Sequence, residues 1–326
     1  AAMTKAAHPA LADMAPQLSR TTRALAVDDA PQLRPEISSA LGTLAVKGED
    51  AHCEGVLQLD SMRALNAYGV FDGHGGSAAA TYCAERIIPT LRGAYAAARG
   101  DHDARLDAGL RATYATMHAQ VARQSATSAG TTATVVLLDD AHIVTANVGD
   151  SSAVLFVDGE KPVELTSKHR AVENADETAR ILMAGGEIRQ AYGPSGTPCG
   201  PQRVFPGGLQ VTRSIGDRDS CAAIISEPTI RRTAYPNRRA AIVVASDGVW
   251  DFVDMERVGR LAKMSLKTQL GPEWLAQSLM AAVMERNVNA DDVTCQCIAL
   301  MTDAALTDVA DVSPRTFTGL KLWGRS

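Results

Sequence analysis

The chain has 326 residues, a formal net charge of -5 and 46% hydrophobic residues. This length suits one main domain with an extension, because single all-β or mixed domains commonly reach about 250 residues. Basic residues are scattered without a block, which argues against nucleic acid or an anionic membrane as a partner. No apolar run approaches the roughly 20 residues that span a bilayer, so a membrane-spanning helix is not expected.

The first part of the chain predicts an extension followed by strands and two helices. Residues 1–38 contain four prolines and little periodicity, which is typical of an N-terminal extension. Apolar runs then predict three strands: 41–47, 53–59 and 65–71. Two Ala-rich segments with apolar residues at helical spacing predict helices at 76–99 and 102–124, separated by Gly100.

The middle of the chain predicts an antiparallel meander. Four apolar runs read as strands: 131–138, 142–148, 152–157 and 161–165. They are separated by Asp139-Asp140, Gly149-Asp150 and Asp158-Gly159, which are typical turn residues. Successive strands joined by short turns argue against a doubly wound parallel sheet.

The rest of the chain mixes helices and strands around an irregular region. Residues 190–208 are rich in proline and glycine and predict an irregular surface flap. The predicted helices are 173–184, 254–265 and 272–286, and the predicted strands are 209–213, 228–233, 240–245 and 293–301. This order predicts an α+β fold with two antiparallel sheets packed together and flanked by helices. The folded domain is expected to span 39–302, followed by a C-terminal tail at 303–326.

Acidic residues recur where predicted strands end and the chain turns. These positions are Glu49-Asp50, Asp72, Asp150, Asp247 and Asp291-Asp292. Each alone is ordinary turn chemistry. Together, at one edge of a sandwich, they would repel one another unless cations neutralised them, and oxygen ligands without His or Cys select Mg²⁺, Mn²⁺ or Ca²⁺.

The sequence excludes two common kinds of phosphate-binding site. Cysteine-dependent phosphatases need an arginine six positions after the cysteine, and none of the six cysteines has one. No G-x-x-x-x-G-K-[ST] motif occurs, so a P-loop is not supported. The cysteines lack C-x-x-C spacing and no secretory signal precedes them, which predicts a cytoplasmic protein, with a nuclear location left open.

The segment 68–76, YGVFDGHGG, resembles the signature of the type 2C metal-dependent serine/threonine protein phosphatases. Six further blocks follow the order of that family: 48–52, 128–133, 146–151, 211–217, 245–251 and 291–294. The resemblance covers about residues 40–301. It implies a four-layer α-β-β-α sandwich, and ordered blocks over most of a chain are a specific signal.

The resemblance also implies a two-metal centre that binds Mg²⁺ or Mn²⁺. Asp72 would bridge the two ions, Asp247 and Asp291 would complete one site, and Glu49 with the carbonyl of Gly73 would complete the other. Residues implied for further roles are Asp50 for a metal-bound water, His74 as the general acid, and Asp150 with Asp251 for a weaker third ion. A hydroxide bridging the metals would attack phosphoserine or phosphothreonine in protein substrates.

The sequence departs from the family near the expected phosphate site. Many members carry an arginine four residues before the first acidic ligand, and this chain has Ala45 there. If 44–49 were a strand, Lys47 would share a face with Ala45 and could reach the phosphate instead. Lys168-His169-Arg170 stands where the family usually has Asp-His-Lys, and Asp292 where Asn is common. Asp292 would either tighten metal binding or face a backbone amide.

Two alternative functions stay open at this point. A pseudophosphatase acting as a binding or scaffold protein is favoured only by Ala45, since the acidic ligand set is complete. Another kind of two-metal hydrolase would usually mix histidine with carboxylate ligands. The leading prediction is an active phosphatase that acts as a monomer on phosphorylated proteins.

Overall fold

The computed structural model describes residues 17–23, 35–61, 63–124, 129–268, 270–286 and 291–301. Two antiparallel sheets pack face to face at its centre, and helices cover both outer faces. No helix in these ranges is both long enough and apolar enough to span a bilayer.

The larger sheet has six strands. Their order is β1 (Gln17–Arg23), β2 (Glu36–Leu44), β16 (Val293–Met301), β15 (Ala240–Ala245), β9 (Ser152–Val157) and β10 (Val163–Glu164). All neighbours run antiparallel. Strand β15 is buried along its whole length, because one face meets the second sheet and the other meets helices.

The second sheet has five strands, and the described residues also form two small sheets. The five are β14 (Thr229–Ala234), β8 (His142–Val148), β7 (Ala133–Leu138), β4 (Ala64–Phe71) and β3 (Ala51–Gln58). The small sheets are β13 (Ile215–Gly216), β6 (Gly130–Thr131) and β5 (Gly73–His74), and the hairpin of β11 (Glu187–Tyr192) with β12 (Pro198–Phe205). Strand β5 directly continues the chain of β4, so the small sheet extends one end of the sandwich.

Three layers of apolar side chains hold the sandwich together. Helices α1 (Ala78–Ala97) and α2 (His102–Gln124) pack on the five-stranded sheet, and α4 (Asp247–Trp250), α5 (Met255–Thr268) and α6 (Gly271–Met284) pack on the six-stranded sheet. Tyr68 and Ile242 belong to the core between the sheets. The predicted four-layer α-β-β-α architecture is therefore confirmed.

A buried carboxylate fixes the chain that leads to the small sheet. Helix α3 (Ala175–Met183) carries Glu177, which accepts hydrogen bonds from Arg213 at 2.6 Å, Arg180 at 2.7 Å and the Thr212 hydroxyl at 2.7 Å. Burial opposes ionisation, but these donors outweigh it and lower the pKa of Glu177. The charged network therefore ties α3 to residues 212–213, just before β13.

Several predicted boundaries are wrong. Part of the predicted N-terminal extension belongs to the fold, because Gln17–Arg23 pairs with β2 and β2 itself begins at Glu36. The polar sequence of β1 hid this edge strand, since an edge need not be apolar. The predicted strand 41–47 ends at Leu44. Residues 303–326, the predicted tail, lie outside the described residues.

The predicted flap and the strand after it also differ from the structure. Residues 190–208 are not irregular throughout, because they contain most of the hairpin of β11 and β12. Its prolines are accommodated because the hairpin has only two strands, so each strand has a free edge. The predicted strand 209–213 forms only isolated bridges, such as the one between Val211 and Arg170.

Candidate metal centre

Five strand ends bring acidic residues to one edge of the sandwich. Asp72 follows β4, Asp150 follows β8 and Asp247 follows β15, while Glu49-Asp50 precedes β3 and Asp291 precedes β16. In antiparallel sheets the start of one strand lies beside the end of its neighbour, so these positions converge. One carboxylate oxygen from each of Asp72, Asp150 and Asp247 lies within 4.8 Å of the others.

Three of the carboxyl groups, those of Asp50, Asp72 and Asp247, have a raised pKa. Burial raises the pKa of Asp72 well above its ordinary value, and the charges of Asp50, Asp247, Asp150 and Asp291 raise it further. Burial also raises the pKa of Asp50 and of Asp247, and neighbouring carboxylates contribute to both shifts. Like charges this close cannot all ionise without a compensating cation.

The donor set fits a hard divalent cation. Asp50 Oδ2 is buried and has no hydrogen-bond partner among the described residues. A buried carboxylate oxygen without a donor is costly, and a cation would satisfy it. Because the converging ligands are carboxylates, the site suits Mg²⁺, Mn²⁺ or Ca²⁺ better than zinc.

Close packing joins the loop that carries Glu49 to the DGHGG segment. A side chain at Gly73 would collide with the backbone carbonyl of Glu49, so only glycine fits there. Glu49 Oε1 also accepts a hydrogen bond from the Gly76 amide at 2.7 Å. The acidic residues on these two segments are therefore held in a fixed relation to each other.

Asp292 fixes the conformation of the loop that carries Glu49 by accepting hydrogen bonds from five consecutive backbone amides. Its Oδ1 accepts from Val46 at 2.5 Å, Lys47 at 2.6 Å and Gly48 at 3.1 Å, and its Oδ2 accepts from Glu49 at 2.6 Å and Asp50 at 3.2 Å. Burial raises the pKa of Asp292, but these donors reverse the effect and lower it overall. Of the two roles considered for Asp292, contact with backbone amides is the one observed.

Lys47 lies beside the site because residues 45–50 bend, and not because of the alternation of side chains along a strand. Residues 45–50 form a bent loop, so the assumption that 44–49 is a strand is wrong. Lys47 Nζ lies 2.7 Å from Asp291 Oδ1, and Ala45 has no basic group to offer. A basic side chain is thus present beside an expected metal ligand.

His74 is held by a residue to which the sequence analysis gave no role. His74 Nε2 lies 2.7 Å from Asp217 Oδ1, and the Ser214 hydroxyl donates to Asp217 Oδ2 at 2.5 Å. Asp217 is buried and has a φ of 54°, the left-handed region that non-glycine residues seldom adopt. Asp217 lies in the matching block 211–217, but its backbone conformation could not be seen in the sequence.

A basic side chain lies where a third metal ion was expected. Asp150 and Asp251 both accept hydrogen bonds from the guanidinium of Arg170, at 2.6 Å and 2.8 Å. Asp247 accepts from the same group at 2.9 Å. The residues around Asp150 and Asp251 therefore do not fit a further cation in this arrangement.

The protein-family comparison gives a clear assignment. The family model described as protein phosphatase 2C matches residues 39–292. The chain belongs to the protein phosphatase 2C family. Probable protein phosphatase 2C 5 of Arabidopsis thaliana is 31% identical over 84% of this chain and 64% of its own length. Probable protein phosphatase 2C 15 of Oryza sativa subsp. japonica is 31% identical over 83% of this chain and 61% of its own length.

Solved structures agree on the protein phosphatase 2C fold. A serine-threonine phosphatase 2C from Toxoplasma gondii superimposes with a TM-score of 0.65 at 17% identity, over 88% of this chain and 100% of that chain. A C. elegans sex determining protein gives a TM-score of 0.64 at 19% identity, over 90% and 66% respectively. The chain spans under two thirds of the length of these two plant relatives, and the comparisons establish its family and its fold.

Replacing Asp292 is expected to loosen the loop and weaken metal binding. Asp292→Ala removes the acceptor for five amides, and hydrogen bonds to a charged group contribute about 1.5–3 kcal/mol each. We expect a net loss of only about 3 kcal/mol in the free energy of unfolding, because residues 46–50 are partly exposed and their amides can bond to water instead. Binding of Mn²⁺ should also weaken, because Glu49 and Asp50 lie on that loop. Urea unfolding in chelator and calorimetric titration with Mn²⁺ measure the two effects.

Two further variants complete this test of Asp292. Asp292→Asn keeps one side-chain oxygen and should fall between wild type and Asp292→Ala. Asp219→Ala removes an exposed carboxylate with only a 3.4 Å ion pair and should match wild type. Wild-type stability and Mn²⁺ affinity in Asp292→Ala would contradict the role given to Asp292.

Proposed function

We propose that this chain is a metal-dependent protein serine/threonine phosphatase that hydrolyses phosphoserine and phosphothreonine in protein substrates. The observation that carries the proposal is the partly buried cluster of Asp72, Asp150 and Asp247, with His74 on the adjoining strand β5, in a chain of the protein phosphatase 2C family. The all-oxygen ligand set favours Mg²⁺ or Mn²⁺ as the cofactor, with two ions bound.

The residues that would hold these ions divide into two groups around Asp72. Asp247 and Asp291 would hold one ion, and Glu49 with the carbonyl of Gly73 would hold the other. Asp50, with its unpartnered Oδ2, would receive a water of that site. When bound, the two ions would activate a water for attack on phosphorus and neutralise charge on the phosphate.

His74 would supply the proton that the departing seryl or threonyl oxygen needs. Asp217 occupies Nε2 of His74, so Nδ1 is the nitrogen available to exchange that proton. Ser214 and the left-handed backbone of Asp217 keep the carboxylate in place. Because the orientation of the His74 ring is already fixed, donating the proton costs little conformational entropy.

Lys47 would contribute positive charge to the bound phosphate in place of the arginine missing at Ala45. Its ammonium group pairs with Asp291, so it already lies beside the proposed centre. An ammonium group lacks the two-pronged geometry with which arginine binds two phosphate oxygens. We therefore expect modest phosphate affinity.

The scaffold alternative is favoured by Ala45 alone. A protein that had lost catalysis would be expected to lose acidic ligands, and here Asp72, Asp150 and Asp247 converge. Ala45 remains its one argument, and Lys47 answers it in part.

Release of phosphate from a phosphothreonine peptide tests the proposed function directly. Turnover is expected with Mn²⁺ or Mg²⁺ and none with chelator. Asp247→Asn should lower kcat/KM about 100-fold, because losing about 3 kcal/mol of metal-derived transition-state stabilisation has that effect. Asp176→Asn, an exposed aspartate on α3, is the matched control. Bound Mn²⁺ without turnover would reject phosphatase activity and favour a scaffold.

The role of His74 predicts a dependence on the leaving group. His74→Gln should lower kcat for a phosphothreonine peptide by about 100-fold or more, the usual range for general acid catalysis. It should change kcat for an aryl phosphate far less, because a nitrophenolate leaves without a proton. Asp217→Asn should show the same pattern in weaker form. Equal losses on both substrates would rule out the general acid role.

The contribution of Lys47 is measured by KM. Lys47→Ala should raise KM for the phosphothreonine peptide severalfold, whereas Lys47→Arg should hold or lower it, since arginine pairs with two oxygens. Lys168→Ala, which removes a lysine with a 3.6 Å ion pair to Glu173, serves as the control. An unchanged KM in Lys47→Ala would show that the lysine does not contact the phosphate.

A further inference from the structure

Arg170 makes a dense set of contacts with the acidic edge of the sandwich. Its Nε donates to Asp150 Oδ2 at 2.6 Å, and its Nη2 donates to Asp247 Oδ2 at 2.9 Å and to Asp251 Oδ2 at 2.8 Å. Its Nη1 reaches Asp251 Oδ1 at 3.1 Å and Glu173 Oε1 at 3.3 Å. Nitrogens on all three arms of the guanidinium therefore bind carboxylates.

The main chain around Arg170 is fixed as firmly as its side chain. The amide of His169 donates to the carbonyl of Gly149 at 3.0 Å, and the carbonyl of His169 accepts from the Thr212 amide at 2.8 Å. The His169 ring is buried and bonds to the Thr229 hydroxyl at 2.9 Å. Arg170 itself bridges to Val211, and its side chain is only 13% exposed. The guanidinium is thus a built-in part of the site.

The carboxylates around Arg170 are the kind of ligand that a divalent ion would need. Asp150, Asp247 and Asp251 bring three carboxylates to one side of the cluster, and a guanidinium stays protonated at any physiological pH. Its planar fork can satisfy several carboxylate oxygens at once, as a metal ion would.

We propose that Arg170 takes the place of a third metal ion, so that this chain binds two divalent ions and completes the acidic cluster with its own guanidinium. The inference rests on the metal centre of the proposed function but not on hydrolysis itself. It assigns Asp150 and Asp251 to Arg170, and it leaves Glu49, Asp50, Asp72 and Asp291 to the two ions. Asp247 contacts Arg170 through Oδ2 and would bind an ion through its other oxygen.

Counting bound Mn²⁺ tests this inference without any substrate. Native mass spectrometry over a range of Mn²⁺ concentrations, checked by electron paramagnetic resonance of the unbound ion, should give two ions for the wild-type chain. Asp251→Asn should also give two, because Asp251 binds Arg170. Three ions in wild type, falling to two in Asp251→Asn, would overturn the proposal.

Removing the guanidinium should open the third position. Arg170→Ala is expected to bind a third Mn²⁺, and the double variant Arg170→Ala with Asp251→Asn should return to two. Arg260→Ala, which removes an exposed arginine of α5, should stay at two. Two ions in folded Arg170→Ala would also overturn the proposal. If Arg170→Ala fails to fold, the comparison of wild type with Asp251→Asn decides the question.

The outcomes for the inference and for the proposed function are separable. A chain that binds two Mn²⁺ in both wild type and Asp251→Asn but releases no phosphate from a peptide supports the inference and refutes the phosphatase. A chain that releases phosphate from the peptide but binds one ion fewer in Asp251→Asn than in wild type supports the phosphatase and refutes the inference. Absence of Mn²⁺ binding would overturn both.

Discussion

Repulsion among buried carboxylates is the constraint on which the rest of this molecule depends. The antiparallel sandwich brings strand ends together at one edge, where burial and neighbouring carboxylates raise the pKa of Asp72 and of Asp247. These acidic residues form a row along the edge, and the chain's own cations neutralise its two ends. Lys47 pairs with Asp291, and Arg170 pairs with Asp150, Asp247 and Asp251. In the described residues neither Asp50 nor Asp72 forms an ion pair, so the centre of the row is where external cations are needed most.

Much of the surrounding structure serves to hold these charges at fixed positions. Asp292 gathers five backbone amides and so gives residues 46–50 one conformation, although they belong to no strand. Glu177 does the equivalent for the segment before β13, through Arg213 and Arg180. In both cases a carboxylate outside the metal cluster is kept ionised by donors, and the energy of that pairing maintains a loop that apolar packing alone would leave loose.

The sequence predicted most of the fold, because its internal strands are marked at both ends. Strands β8, β9 and β15 have the predicted bounds, since each is an apolar run that stops at polar or turn residues. Helix α2 also has the predicted bounds, since apolar residues recur along it at helical spacing and Gly100 lies before it. Strand β1 was missed because an edge strand can be polar, and the hairpin at 187–205 was missed because proline and glycine suggested a loop. Burial patterns report what a segment packs against, and the hairpin of β11 and β12 is exposed along most of its length.

The candidate site was less predictable than the fold, for a related reason. The acidic residues could be located because each follows or precedes an apolar strand, whereas the partners that orient them come from distant parts of the chain. Asp217 depends on a left-handed backbone and Arg170 on a bridge to Val211, and neither is a local pattern. Tertiary contacts of this kind leave no periodic signal in the sequence.

Two differences from the family, Ala45 and Arg170, both affect how much positive charge is available to a bound phosphate. Under the proposed function, Ala45 leaves out the arginine that the resemblance places near the phosphate. The guanidinium of Arg170 faces the carboxylates and is engaged by them. Lys47 is shared with Asp291, so its charge is only partly available to a phosphate. Under the proposed function, the bound ions must therefore supply most of the attraction for the substrate. Phosphate affinity and metal occupancy should consequently be more tightly coupled in this chain than in one that grips phosphate with an arginine of its own.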